Sequence, residues 1–292
     1  MTTPPLTTEV VLQLNNVAIH NDAVAEELVH GVSLTLHRGA VIGIVGESGS
    51  GKTLTCRAIL GLLPTYFEVS RGSIELLGDD VASFSAKRWS EVRGATVSAV
   101  FQDPATYLNP SIRVGAQLQE VLRVKKGLGR RAAKQRSIEL FRAVHLRDAE
   151  FVYQQYPHEL SGGMLQRVLI AIAIALEPQV LIADEATTAL DVTVQAEILD
   201  LLVELKQSIG LSLIVVSHDL AVVAQLCDEV LVMQAGVVVE QGPTRQILHD
   251  PQHEYTQLLI AEHEQYGLER FLDTRDELPQ LLAEHEKELT NV

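Results

Sequence analysis

The stretch Val41-Ile42-Gly43-Ile44-Val45-Gly46-Glu47-Ser48-Gly49-Ser50-Gly51-Lys52-Thr53 decides how this chain folds. Its first five residues are almost continuously apolar, the pattern of a strand buried on both faces. The next eight fit G-x-x-x-x-G-K-[ST]. Glycines let such a loop curl so that successive N–H groups face one point, and the helix that follows adds its positive N-terminus. That helix is predicted from Lys52 to Leu63, stopped by Pro64. Gly46, Glu47, Ser48, Gly49, Ser50 and Gly51 then form the cradle for a nucleotide's phosphates. Lys52 reaches the β- and γ-phosphates, and the Thr53 hydroxyl ligates Mg²⁺. A glycine-rich turn without a ligand is the bland alternative, and the flanking strand and helix disfavour it.

Two further stretches extend this reading. Val180-Leu181-Ile182-Ala183-Asp184-Glu185 is a buried strand ending in two carboxylates. Neighbouring side chains on a strand point opposite ways, so the pair can divide labour: Asp184 for Mg²⁺, Glu185 for activating the attacking water. Many strands end in an acid at a turn, so this pattern gains its weight from the loop before it. In Leu160-Ser161-Gly162-Gly163-Met164-Leu165-Gln166, Ser161 is a good N-cap for a helix that is apolar nearly all round. Gly162 and Gly163 leave bare N–H groups at its start, a second site for phosphate. One nucleotide does not need two such sites, so the second is expected to complete the nucleotide of another molecule.

Around these stretches lie short strand candidates at Val10–Leu14, Val32–Leu36, Ser73–Leu77, Thr96–Phe101 and Leu211–Val216. A late hairpin is expected from Glu229–Met233 and Val237–Glu240 around Gln234-Ala235-Gly236. Strands alternating with helices imply a mainly parallel sheet. From about Ile112 to Pro157 the chain is rich in Gln, Arg, Ala and Leu at helical spacing, which reads as an inserted helical subdomain. Its basic residues far outnumber its acids, whereas the tail after Leu248 is acidic. The formal charge of −15 argues against a nucleic-acid partner. Cys56 and Cys227 are too few and too far apart for a disulfide framework or a metal cluster. The longest apolar run, Val168–Leu176, spans nine residues, against the roughly 20 that a membrane span needs. A soluble protein is expected, with any membrane role exercised through partners.

The series Gly46–Thr53, Gln102, Leu160–Met164, Asp184-Glu185, Thr188-Ala189-Leu190-Asp191 and Ser217-His218-Asp219 resembles an ABC (ATP-binding cassette) ATPase over about residues 8–260. The resemblance implies an α/β P-loop NTPase core, residues 8–111 and 166–250, with an antiparallel N-terminal β layer. A helical subdomain (112–165) and an acidic extension (251–292) complete the expected organisation. It further implies ATP and Mg²⁺ as cofactors, with Gln102 linking the Mg²⁺ and the attacking water to the membrane subunit. His218 holds the γ-phosphate and positions Glu185, and Asp191 bridges two protomers. The implied partners are two transmembrane permease subunits, a second ABC ATPase (a homologous chain or a copy of this one) and, indirectly, an extracytoplasmic binding protein. The implied place is the cytoplasmic face of the inner membrane.

Within that family, Phe101-Gln102-Asp103-Pro104, Leu108-Asn109-Pro110 and Asp250-Pro251-Gln252-His253-Glu254-Tyr255-Thr256 resemble the oligopeptide/nickel branch of importers. The tail has no cysteine, and Ala261-Glu262-His263 through Tyr266-Gly267-Leu268-Glu269 is similar to nickel-import ATPases. Nickel or a metal chelate is therefore the expected cargo, with oligopeptide or dipeptide as the alternative. Two departures stand out: Ala186 occupies the usual position of a proline, and His20 is the nearest candidate for stacking on adenine. The loop from Gln102 through Leu108-Asn109-Pro110 is expected to form part of a dock for a permease helix.

Overall fold

The computed structural model describes residues 9–186 and 190–264. Thr188 and Ala189, and the tail from 265 onward with its Tyr266–Glu269 segment, lie outside the described residues. An antiparallel layer is built from β1 (Val10–Asn21), β2 (Glu26–His37), β4 (Phe67–Leu76) and the short β5 (Asp79–Asp80), in the order β2-β1-β4-β5. A second sheet contains β3 (Val41–Val45), β6 (Val97–Val100), β7 (Val180–Asp184), β8 (Ser212–Ser217), β9 (Glu229–Gln234) and β10 (Val237–Pro243). Its order is β10-β9-β3-β8-β7-β6, parallel throughout except for β10, which runs antiparallel to β9. This is the expected ABC ATPase architecture.

The helices follow from the same pattern. After β3 comes α1 (Lys52–Ile59), and α2 (Ala86–Val92) precedes β6. Between β6 and β7 lie α3 (Pro104–Tyr107), α4 (Val114–Lys126), α5 (Arg130–Ala143), α6 (Ala149–Val152) and α7 (Gly162–Ile174). The remaining helices are α8 (Val192–Ile209), α9 (Leu220–Leu226), α10 (Thr244–His249) and α11 (Glu254–Glu264). One apolar core fills the space between the two sheets and α1, with Leu12, Ile19, Ile44 and Ile59 buried there. The other lies on the opposite face of the parallel sheet and joins Leu118, Phe141 and Ile170 of the helical segment to Leu181 and Leu213. Every residue of β3, β7 and β8 is buried, which accounts for their unbroken apolar character.

Several boundaries differ from the sequence reading, β4 among them, which begins at Phe67 rather than Ser73. β1 and β2 each run 12 residues, well beyond the apolar alternation. A bulge between Leu14 and Val17, with Asn16 at φ +50°, shifts the register and breaks the period of two that marks a strand. α1 stops at Ile59, short of Pro64. Gly61 turns left-handed, and the Arg93 guanidinium donates to the carbonyls of Leu60 and Gly61 at 2.8 and 2.6 Å, satisfying the helix end. The hairpin turn falls on Ala235-Gly236, both at positive φ, as a two-residue turn of the primed type requires.

The first turn of α4 is tied to the 153–155 segment through Val114 N–H to Gln155 O (2.9 Å) and Gly115 N–H to Tyr153 O (3.2 Å). A methyl at Gly115 would lie 2.2 Å from Tyr153 Cδ2 and 2.5 Å from its carbonyl oxygen. Gly115→Ala is expected to destabilise the fold by roughly 1–3 kcal/mol, the usual range for overpacking a tight site. A lower urea midpoint at unchanged slope checks this, and an unchanged midpoint would remove the constraint.

Candidate functional site

The sheet register gathers the candidate residues. Val45 of β3 lies opposite Ser217 of β8, and Asp184 of β7 lies opposite Val216. Val100 of β6 pairs with Ala183. The segments leaving these four parallel strands therefore emerge along one edge: the 46–51 loop, His218, Glu185 and Gln102. Ligands of open α/β sheets bind along the C-terminal ends of the strands.

The 46–53 loop is closely constrained. Gly46 has φ +144°, and a Cβ there would sit 2.0 Å from the Met233 carbonyl. Gly51 caps α1 in a left-handed conformation. The hairpin presses on the loop from outside, with Gly236 N–H donating to Ser50 O at 3.2 Å. Lys52, only 5% exposed, turns its ammonium back onto the loop. It donates to the carbonyls of Gly46 and Glu47, both at 2.7 Å, and lies 3.4 Å from Ser50 Oγ. Burial lowers the Lys52 pKa, while the Glu185 and Asp184 carboxylates act against that shift.

Thr53 Oγ1 donates to Asp184 Oδ1 at 3.2 Å, joining the start of α1 to the end of β7. Asp184 is 4% exposed. Burial raises its pKa, the Thr53 hydrogen bond opposes this, and the neighbouring Glu185 charge adds to the rise. Glu185 follows at φ +50°, a region sparsely used by non-glycine residues, with its N–H donating to Val216 O at 3.0 Å. Ala186 is buried in the core beside it. His218 and Gln102 are both exposed on this edge. Asp219 caps α9 and accepts from Gln195 Nε2 of α8 at 3.1 Å, and its N–H donates to Ser217 Oγ at 2.9 Å.

A second group forms where α7 and α8 begin. Ser161 Oγ accepts from Met164 N–H at 3.4 Å, and Asp191 Oδ1 accepts from Val194 N–H at 3.0 Å. The two glycines differ in role. Gly162 is exposed, and a Cβ there would meet only Leu190 Cδ2, at an ordinary 3.5 Å. Gly163 is needed for packing: a Cβ there would meet Val194 Cγ1 at 2.5 Å. Arg167 strengthens the junction, donating to Val144 O at 3.0 Å and to Glu197 Oε2 at 2.7 Å. His20, by contrast, stands on β1 opposite Glu27 and Glu68, 3.8 Å from Asp22.

A family model described as ABC transporter matches residues 29–188. The chain belongs to the ABC transporter family. It is 47% identical to the probable D,D-dipeptide transport ATP-binding protein DdpD of Escherichia coli, over 84% of this chain and 75% of that one. It is 45% identical to the oligopeptide transport ATP-binding protein OppD of Bacillus subtilis, over 86% of this chain and 71% of that one. Among solved structures, cbiO1 of Clostridium perfringens, part of an ABC transporter complex, superposes with a TM-score of 0.73 at 26% identity. That match covers 92% of this chain and 99% of cbiO1. A dimeric post-hydrolysis ATP-binding cassette bound to ADP and Pi gives 0.71 at 25% identity, over 80% of this chain and 99% of that one. This ABC ATPase therefore keeps the family's fold and its ATP-dependent activity. The named relatives are ATP-binding proteins of dipeptide and oligopeptide transport, so the leaning toward nickel is not supported. No group of three or more His, Cys, Asp or Glu fit to hold a metal occurs among the described residues.

Sequence reading passed over two features of this ABC ATPase. One is the packing role of Gly163. The other is Tyr255 of α11, whose hydroxyl accepts from Glu47 N–H at 3.0 Å. The contrast between the two glycines is testable. Gly163→Ala is expected to cost roughly 1–3 kcal/mol by overpacking against Val194. Gly162→Ala is expected to change stability by no more than about 1 kcal/mol, the glycine–alanine difference in a helix. Thermal denaturation of the two variants side by side separates them, and equal effects would refute the assignment.

Proposed function

We propose that this chain is the ATP-hydrolysing motor of an importer for dipeptides or oligopeptides, working beneath separate permease subunits. The chemical half of the reading is carried by the convergence of the 46–53 loop, Asp184, Glu185, His218 and Gln102 on one edge of the parallel sheet. The cargo half is supported by the peptide-transporting relatives.

ATP would lay its phosphates over the N–H groups of the 46–53 loop, and Lys52, with three donors, would reach a phosphate oxygen while keeping the Gly46 carbonyl. Thr53 and Asp184 offer adjoining oxygens, 3.2 Å apart, the hard donors that Mg²⁺ favours, and Gln102 is assigned a further oxygen for it. The chemistry Mg²⁺ supplies there is neutralisation of phosphate charge. Glu185 is assigned the general base for the attacking water, oriented by His218 toward the γ-phosphate. Ser161, Gly162 and Gly163 would face the ATP of a second cassette, a homologous chain or a copy, and Asp191 would bridge the pair. Closure of that pair would then drive the permeases, with residues 112–165 acting as the subdomain that moves and 8–111 with 166–250 as the core.

No helix among the described residues is long and apolar enough to cross a membrane. A peripheral position on the cytoplasmic face is proposed, with permeases docking in a groove of about 760 Å³ beside the Gln102 loop. Phe101, Tyr107, Ile112, Val121, Val124 and Ile172 line it. Val124 is 71% exposed, an apolar surface that calls for a partner. Leu108 itself is only 3% exposed and belongs to the core, so the contact falls to its neighbours Tyr107 and Ile112.

Glu185→Gln is expected to lower ATP turnover by at least about 100-fold while ATP binding persists, since only the base is lost. Steady-state hydrolysis and nucleotide titration of the same sample check it, and wild-type-like turnover would exclude Glu185 as the base. Cells carrying that variant should also lose uptake of labelled di- and oligopeptides, and intact peptide uptake would remove the importer reading. A cysteine at Tyr107 should cross-link to a permease subunit in the assembled transporter. Labelling there only by soluble reagents would sink the dock.

A further inference from the structure

Helix α11, the last among the described residues, reaches the phosphate loop directly. Tyr255, on its first turn, is 7% exposed and packs in the core with Leu259, Ile260 and the α10 residues Ile247 and Leu248. Its hydroxyl accepts the N–H of Glu47 at 3.0 Å. That N–H shares a peptide unit with the carbonyl of Gly46, which accepts from the Lys52 ammonium at 2.7 Å. In a trans peptide the C=O and N–H point in opposite directions. This one plane is therefore held from both sides, by Lys52 within the loop and by Tyr255 from outside it. Hydrogen bonds in such a chain polarise one another, so the outer bond strengthens the inner one.

The start of α11 is itself fixed. The Glu240 carboxylate of β10 accepts the N–H groups of Gln252 and His253 at 2.8 and 3.1 Å. His253 Nδ1 accepts the N–H of Tyr255 at 3.2 Å. β10 pairs with β9, and the hairpin between them contacts the loop at Ser50 and packs Met233 against Gly46. Tyr255 and the loop are thus both anchored to one hairpin. Burial raises the Tyr255 pKa, the hydrogen bond from Glu47 N–H opposes this, and the nearby Glu47 and Glu262 charges add to the rise.

We propose that Tyr255 is a positioning residue for the phosphate loop: its hydroxyl fixes the Gly46–Glu47 peptide that holds Lys52, so that helix α11 sets the affinity for ATP. This rests on the assignment of the 46–53 loop to the ATP phosphates. Tyr255→Phe removes the hydroxyl and keeps the packing. In full-length protein carrying Glu185→Gln to suppress turnover, the Kd for ATP with Mg²⁺ should rise about three- to tenfold, the worth of one ordinary hydrogen bond. Amide hydrogen exchange across residues 46–51 should quicken. In the otherwise wild-type chain, KM for ATP should rise more than kcat falls. An unchanged Kd with unchanged exchange would overturn the proposal, as would a lowered melting temperature with unchanged Kd, which would mark a purely structural hydroxyl. Lys52→Ala separates this inference from its foundation. If that variant binds ATP normally, the loop assignment fails. If it loses ATP while Tyr255→Phe does not, only the role of Tyr255 fails.

Discussion

Lys52 carries a positive charge into a nearly solvent-free position, and a buried ammonium must be met by acceptors. The chain meets it with its own carbonyls, those of Gly46 and Glu47. That arrangement dictates much else. The loop must curl tightly enough for two consecutive carbonyls to face inward, which requires backbone angles at Gly46 that side chains rarely permit. Met233 and Gly236 of the hairpin must then approach without side chains in the way. The parallel register of β3, β8 and β7 sets two carboxylates across from the same ammonium, and their charge opposes its desolvation.

Those residues with a role imposed by short-range chemistry were open to reading from the chain. The glycine loop, the strand ending at Asp184 and the cap at Ser161 each show in a window of a few residues. The strands buried on both faces show equally well, because β3, β7 and β8 have no solvent side to interrupt their apolar run. What escaped was decided at long range or by a local irregularity. The bulge at Asn16 conceals half of β1, and the end of α1 is set by Arg93, more than thirty residues on. Tyr255 meets Glu47 across 208 residues, a contact no periodicity can announce. Gly163 looks like its neighbour in sequence, and only Val194 distinguishes the two. Cargo was harder still, because a motor subunit has no reason to carry the residues that touch it. Most of the tail segment that suggested nickel, from residue 265 onward, lies outside the described residues, and the relatives point to peptides.

The buried acid at Asp184 illustrates the cost of such a site. Its carboxyl is held above the usual range by desolvation, so in the absence of ligand the charged form is disfavoured by the fold that houses it. A cation between Asp184 and Thr53 would reverse that penalty, and binding to the folded form alone stabilises it by mass action. Function and stability thus pull in opposite directions until the ligands arrive.

Helix α7 joins places that are otherwise distant. Its first residues present Ser161 and Gly162, and its later turns supply Leu169, Ile172 and Ala173 to the wall of the apolar groove. Thirteen residues of α-helix make a rod of about 20 Å. Gly163 seats that rod against Val194, and Arg167 ties it to Val144 and Glu197, joining it to the start of α8 beside Asp191. Under the proposed docking, a push at the permease groove would travel along a stiff lever to the neighbouring cassette's nucleotide, bypassing the chain's own phosphate loop. The two ATP sites of a transporter would then be geared crosswise, each permease acting most directly on the site that its own motor only half builds.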